Sequence, residues 1–305
     1  MKAIFDTKPD SGYDDEITQR YHFPTQRNYL DAAEAAVGDW IVYRSPQRNG
    51  GQRAYIAVAR LLRIEPDPRS QGHAYAVVGD YLQFPTPVPF AGAGRYWEAS
   101  IRAIDDRRRV GAYTQGKAVR GLGDGDFAAI VQAGLQETIA PENFVRLGLG
   151  VQDVDQAPFE HSDAPGAEQA RRIELMLVNR KIRDANFRRL VCDAYDDRCA
   201  VTGLRIINGG GRSEVQAAHI WPVASGGPDV VQNGLALSGT VHWLFDRHLI
   251  SLTDDYELLV SHNKVPAELR GLFEKQKDRI HLPADKKRWP HPANIGRHRE
   301  AFMAA

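Results

Sequence analysis

The residues best suited to chemistry lie late in the chain, in Val215-Gln-Ala-Ala-His-Ile-Trp-Pro222, Gln232-Asn-Gly-Leu-Ala-Leu237 and Val241-His-Trp-Leu-Phe-Asp246. They contain, in order, His219, Asn233 and His242, with Asp246 one helical turn beyond His242. An unperturbed imidazole titrates near neutrality, so it can take a proton from water at physiological pH. Residues four apart on a helix share a face, so His242 and Asp246 present an imidazole beside a carboxylate, a donor pair suited to a divalent cation. The structural alternative is that Asp246 pairs with Arg247 or His248, or caps a neighbouring loop. A single histidine is more often structural; the ordered set makes the chemical reading the better one.

The set and its apolar surroundings, from about Phe187 to Val260 and including Arg198-Cys-Ala-Val-Thr-Gly203, resemble the HNH (ββα-metal) nuclease family. The resemblance implies metal-assisted hydrolysis of DNA phosphodiesters with Mg²⁺ or Mn²⁺, other transition metals being alternatives. Such hydrolysis needs a base for water, a cation to neutralise the phosphate and leaving oxygen, and a group that orients the base. By resemblance, His219, ending the first strand of a hairpin, is the general base. Asn233, in the loop before the second strand or early in it, would hold the imidazole through a side-chain or backbone contact. Ser238 to Leu249 reads as the helix that completes the ββα unit, and His242 and Asp246 as metal ligands. Thus His219, Asn233 and His242 form the expected catalytic set.

Two departures from the family pattern stand out. Many members carry an acid or histidine directly before the base, where this chain has Ala218. Gln216 or Glu214 acting through water would compensate, or the helix residues with phosphate oxygens and waters would suffice, as Mg²⁺ tolerates. The paired CxxC zinc knuckles of many members are also missing. Cys199 beside Thr202-Gly203 stands at the corresponding turn and reads as core packing or a turn hydrogen bond, so no structural zinc is expected.

The elements before this set form two regions. Candidate strands at 39–43, 54–60 and 74–78, separated by turn signals at 48–51 and 65–68, suggest a small antiparallel barrel, with a short helix over 30–36. An acidic stretch rich in Gly, Pro and Ala marks a linker. The expected division is 1–146, 147–169 and 170–305, an α+β protein with a small barrel and flanking helices followed by the ββα unit. Ile173, Leu177, Ile182, Phe187 and Leu190 have helical spacing over 170–195, among arginines that offer either a solvated face or phosphate contacts. From Lys264 onward the chain reads as helical trim on the ββα unit or a further phosphate contact.

Val37 to Tyr43, Tyr55 to Arg60 and Asp80 to Phe84 resemble the EVE-type branch of the PUA superfamily, over about Ala3 to Gly134. The pairing of the two families resembles modification-dependent restriction endonucleases that cut DNA carrying modified cytosine (5-methyl, 5-hydroxymethyl or glucosylated). The resemblance implies a flipped base held among aromatic faces. Trp40, Tyr21, His22, Phe23 and Trp97 are the pocket candidates, with packing of the barrel core as the alternative for each. Strand alternation puts Trp40 and Tyr43 on opposite faces, so both should not line one pocket.

Lys plus Arg and Asp plus Glu each total 39. Zero net charge argues against coating nucleic acid through bulk positive charge, and DNA contact must come from local clusters. Two cysteines preclude a disulfide framework. No apolar run approaches the ~18 residues of a membrane span, and a cytoplasmic location is expected. The expected partner is double-stranded DNA with modified cytosine, with no membrane, and pairing of two copies would allow double-strand cleavage. Two rival readings remain: a non-gated HNH nuclease or nickase, and an inactive reader of modified DNA.

Overall fold

The computed structural model describes residues 1–7, 16–25, 27–47, 50–92, 94–150, 153–154, 165–261, 264–273 and 279–304. Chain contacts divide it into two units, Met1–Ala140 with Gln152–Arg180, and Pro141–Val151 with Lys181–Ala305.

The strands of the first unit are β1 (Ala3–Asp6), β2 (Arg20–Pro24), β3 (Trp40–Ser45), β4 (Ala54–Pro66), β5 (His73–Pro89), a ribbon of β6 (Ala91–Gly92) and β7 (Arg95–Tyr96), and β8 (Val119–Gly121). Helix α1 (Arg27–Glu34) precedes β3, and α2 (Asp124–Ile139) follows β8. The three strands anticipated from sequence lie within β3, β4 and β5. The latter two run on for 13 and 17 residues, and register shifts at Tyr55/Ala57, Val58/Arg60 and Leu61/Arg63 break their pairing. Such bulges bend a strand, and the sheet curls.

The expected antiparallel barrel needs correction. The described strands form an open mixed sheet of order β2-β5-β4-β3-β1-β8, in which β1 runs parallel to β3. A parallel neighbour needs a long crossover, which here carries β2 and α1. Both faces of β3 are buried, Trp40, Val42 and Arg44 on one side and Ile41, Tyr43 and Ser45 on the other. Of the expected turn at 48–51, positions 48 and 49 lie outside the described residues, as does most of the expected linker.

The single helix expected over 170–195 is two, α3 (Gly166–Val178) and α4 (Arg180–Ala194). Asn179 between them leaves helical geometry at ψ 115°. Helix α3, grouped with the second domain in the sequence reading, packs on α2 of the first unit through Ala170, Ile173 and Leu177. Its Glu174 reaches Lys2 Nζ at 2.7 Å. Burial alone would lower the Lys2 pKa, but Glu174, Asp124 and Asp39 together raise it.

The second unit holds the hairpin β9 (Gln216–His219) and β10 (Gly234–Leu237), helix α5 (Gly239–Asp246), the hairpin β11 (Ile250–Leu252) and β12 (Leu258–Val260), and helix α6 (Pro292–Ala304). Its core gathers Phe187, Val191 and Tyr195 around Ala218, Leu235, Leu237, Val241 and Phe245. One apolar stripe of α5 (Val241, Leu244, Phe245) is buried, which leaves His242 and Asp246 on a different face.

Candidate active site

His219 is the last residue of β9, opposite Gly234 of β10. Its ring lies flat on Phe187, centroids 3.7 Å apart and planes 6° from parallel. Nε2 is 2.9 Å from Oδ1 of Asp229, whose side chain is only 1% exposed. The other carboxylate oxygen accepts from Arg183 Nη2 at 3.0 Å and Nε at 3.2 Å. A carboxylate only accepts hydrogen bonds, so Nε2 of the neutral ring carries the proton and Nδ1 the lone pair. Arg183, Asp229 and Phe187 together fix the ring's position, tilt and tautomer.

Asn233 ends a 3₁₀ turn (Val231–Asn233) just before β10, and is fully buried. Its amide reaches the backbone beyond His219 rather than the imidazole. Oδ1 accepts from Trp221 N at 2.9 Å, and Nδ2 donates to Trp221 O at 2.9 Å and Pro228 O at 3.0 Å. Its own carbonyl accepts from Ile220 N at 2.9 Å. Asn233 thus clasps the loop that leaves His219 and returns with Asp229. Gly226 takes φ +94°, and a side chain on Gly227 would meet the Trp221 carbonyl oxygen at 1.9 Å; the fold-back admits only glycine there.

At the other end of β9, Gln216 Oε1 lies 2.8 Å from His242 Nδ1. His242 Nε2 faces Asp246 Oδ2 at 3.4 Å. With Gln216 accepting, Nδ1 carries the hydrogen, and the Nε2 lone pair stands beside an exposed carboxylate oxygen. This chemistry fits a divalent ion bound at two positions, with water and phosphate oxygens as the rest of its shell. Among the described residues, no three His, Cys, Asp or Glu side chains group closely enough to share an ion. Ala218 is fully buried in the core and, two residues from Gln216 in β9, shares that residue's face of the strand. Of the two alternatives, Gln216 touches His242, while Glu214 Oε1 accepts from Gly239 N at 3.0 Å. His248 turns instead to His298, Nδ1 to Nε2 at 3.2 Å.

Cys199 is buried and takes the turn role, its sulfur accepting from Thr202 N at 3.5 Å. The Cys192 thiol is pushed up to about 11 by burial, which leaves it protonated and unreactive.

The five aromatic candidates of the first unit separate. Tyr21 and Phe23 point into the core, where Tyr21 lies 5.0 Å from Phe5 and 6.3 Å from Tyr43. The Tyr21 hydroxyl donates to Asp6 O at 2.9 Å. His22, on the other face of β2, stacks on Tyr75 at 4.6 Å and meets Asp67 at 3.0 Å. Trp40 is buried. Trp97 is half-buried, lies against Gly92, and donates to Pro89 O at 2.8 Å.

A buried ionic network links β1, β3 and β8, unforeseen from sequence. Arg44 pairs with Asp6, while Arg120 joins Asp6 at 3.0 Å to Glu98 at 2.6 Å. Tyr55 donates to Glu98 at 2.9 Å. Burial, then the Glu98 charge, raises the Tyr55 pKa far above its ordinary value.

Sequence reasoning also missed Asp229 and Arg183 at the site itself. Asp229, in Gly226-Gly-Pro-Asp229, has the surroundings of a turn residue; its only signal is a carboxylate between His219 and Asn233. The arginines of α4 divide their roles: Arg183 serves Asp229, Arg189 lies 3.5 Å from Asp193, and Arg188 donates to the carbonyls of Ser213 and Val215.

Residues 199–253 match the HNH endonuclease family. No curated protein matches. Among solved structures, the modification-dependent TagI restriction endonuclease aligns at 14% identity and TM-score 0.32, over 97% of this chain and 81% of that one. Rpa0253 from Rhodopseudomonas palustris aligns at 14% identity and TM-score 0.30, over 44% of this chain and 92% of that one. The Type IV phosphorothioation-dependent restriction endonuclease ScoMcrA aligns at 17% identity and TM-score 0.22, over 98% of this chain and 50% of that one. Similarity at this level carries no argument about function. Among the described residues no helix is long and apolar enough to cross a membrane.

Proposed function

We propose that the HNH endonuclease domain which this chain carries over residues 199–253 hydrolyses DNA phosphodiesters with His219 as general base and His242 and Asp246 as metal ligands. The observation that carries this reading is the chain Arg183–Asp229–His219 stacked on Phe187. Nδ1 takes the proton of the attacking water, and the Asp229 carboxylate offsets the charge the ring then acquires. Asn233 positions rather than reacts, because it holds the loop that delivers Asp229. When bound, Mg²⁺ or Mn²⁺ supplies charge neutralisation at the phosphate and the leaving oxygen.

The first unit is read as an EVE-like, PUA-type domain that selects DNA carrying modified cytosine. The curled sheet and its aromatic core support that reading. The half-buried Trp97 is the best placed of the five aromatic candidates to meet a flipped base, because Tyr21, Phe23 and Trp40 are spent on packing. Cleavage of both strands needs two copies of the domain or two binding events.

Matched plasmids with plain, 5-methyl, 5-hydroxymethyl or glucosylated cytosine test the proposal, cut in Mg²⁺ or Mn²⁺ by wild type and His219→Ala. Cutting confined to modified DNA and lost in His219→Ala is expected. Equal cutting of every plasmid returns the reading to a non-gated nuclease, and equal cutting by His219→Ala removes His219 from the base role.

A further inference from the structure

Beside Gln216, and so beside the His242–Asp246 pair, the second unit opens a cavity of about 280 Å³ lined by Arg188, Ile206, Asn208, Arg212, Ser213, Glu214 and Gln216. That volume suits a phosphate with part of its sugar and falls below the ~300–1,000 Å³ of sites for larger ligands. We infer that this groove holds a phosphodiester of the DNA strand next to the one being cut. The inference rests on the nuclease reading and adds the subsite that holds the flanking strand.

Three features converge on an anion. Arg188 donates through Nη2 to Ser213 O at 3.1 Å and Val215 O at 2.9 Å, so its cation is fixed by neutral carbonyls that leave its charge uncancelled. Arg212 is exposed, and its backbone is set by Asn208, whose Oδ1 accepts from Arg212 N at 2.9 Å. Ser213 is 6% exposed, and among the described residues its hydroxyl finds no hydrogen-bond partner. A buried hydroxyl left unpaired is destabilising, a penalty that a phosphate oxygen in the groove would remove. Glu214 is the one acid in the lining, and its Oε1 is engaged by Gly239 N at 3.0 Å. Two guanidinium groups against one engaged carboxylate leave the groove cationic in a chain of zero net charge.

Affinity of the full-length chain for a short DNA duplex, measured in EDTA over a range of salt, tests the assignment. Arg212→Gln is expected to weaken binding roughly tenfold and to lower the slope of log affinity against log salt by about 1. Ser213→Ala is expected to weaken binding several-fold with the slope unchanged, because it removes a neutral donor. Inorganic phosphate at matched ionic strength should compete with the duplex in wild type and not in Arg212→Gln. Unchanged affinity and slope in Arg212→Gln, with cleavage by wild type and its loss in His219→Ala intact, overturns the groove assignment and leaves the nuclease standing. Cleavage that survives His219→Ala counts against the base assignment instead, whatever Arg212→Gln does.

Discussion

His219 has a single orientation because three groups leave it no other: a carboxylate at Nε2, an aromatic face beneath the ring, and an arginine that fixes the carboxylate. Asp229→Asn keeps the shape and removes the charge. Its cleavage rate is expected to fall roughly 10–100-fold, short of the ~10²–10⁴ that a positioned acid or base supplies, because His219 itself remains. The same change removes the negative charge from the buried Arg183–Asp229 pair, and breaking a buried pair costs about 3–5 kcal/mol, so the thermal midpoint should drop as well. A variant that cuts plasmid at the wild-type rate would show that Asp229 is structural only. At the other end of β9, Asp246→Asn would weaken one of the two proposed ligands. It should raise the Mg²⁺ concentration for half-maximal cleavage about 10-fold while saturating metal restores much of the rate; a titration curve that does not move sinks the ligand role. Residue types and spacing singled out His219, His242 and Asp246 as candidates. Asp229 was not among them, because an aspartate after Gly-Gly-Pro carries the pattern of a turn, and only its burial beside Arg183 gives it another role.

At the scale of elements, the segment from Ile220 to Asn233 sets the distance between His219 and the Asp229 carboxylate. Asn233→Ala deletes the amide that satisfies Trp221 and Pro228, at about 1–3 kcal/mol for each buried group left unpaired. Thermal unfolding and plasmid nicking should both report the loss. In Gly227→Ala the added methyl meets a backbone oxygen, so the loop must move and take Asp229 with it. Cleavage should fall further than the thermal midpoint alone would suggest; intact cleavage would mean that the loop tolerates displacement. The hairpin and α5 were readable because their apolar residues follow strand and helix periods. The break at Asn179 was not, since the apolar spacing continues across it.

For the second unit as a whole, α6 is held by a buried histidine. His298 stacks on Phe245 at 3.7 Å, meets Ser251 Oγ at 3.0 Å through Nδ1, and contacts Phe245 O at 3.0 Å through Nε2. Burial first, and then His248, takes its pKa from 6.5 down to about 4. The native state therefore keeps the ring neutral where the unfolded chain protonates it. The resulting stability is complete above about pH 6.5 and is lost as pH falls toward 4, amounting to roughly 3 kcal/mol. Thermal midpoints measured across that window should fall less steeply for His298→Gln than for wild type. Parallel curves would mean that His298 titrates normally. The expectation of helical trim after Lys264 missed this anchor, because a histidine among exposed basic residues has no sequence signature of burial.

By itself the sequence determined the late ββα unit, its histidines and the β-rich character of the first half, because periodicity and residue chemistry are local properties. Tertiary structure alone decided that Asp229, rather than Asn233, touches the His219 ring and that Gln216 touches His242. It alone placed α3 on α2, and Tyr21 and Phe23 in a core, and it opened the sheet that was expected to close. Each of these depends on which distant segments meet, and loop geometry and long-range pairing set that without leaving a periodic trace in the chain.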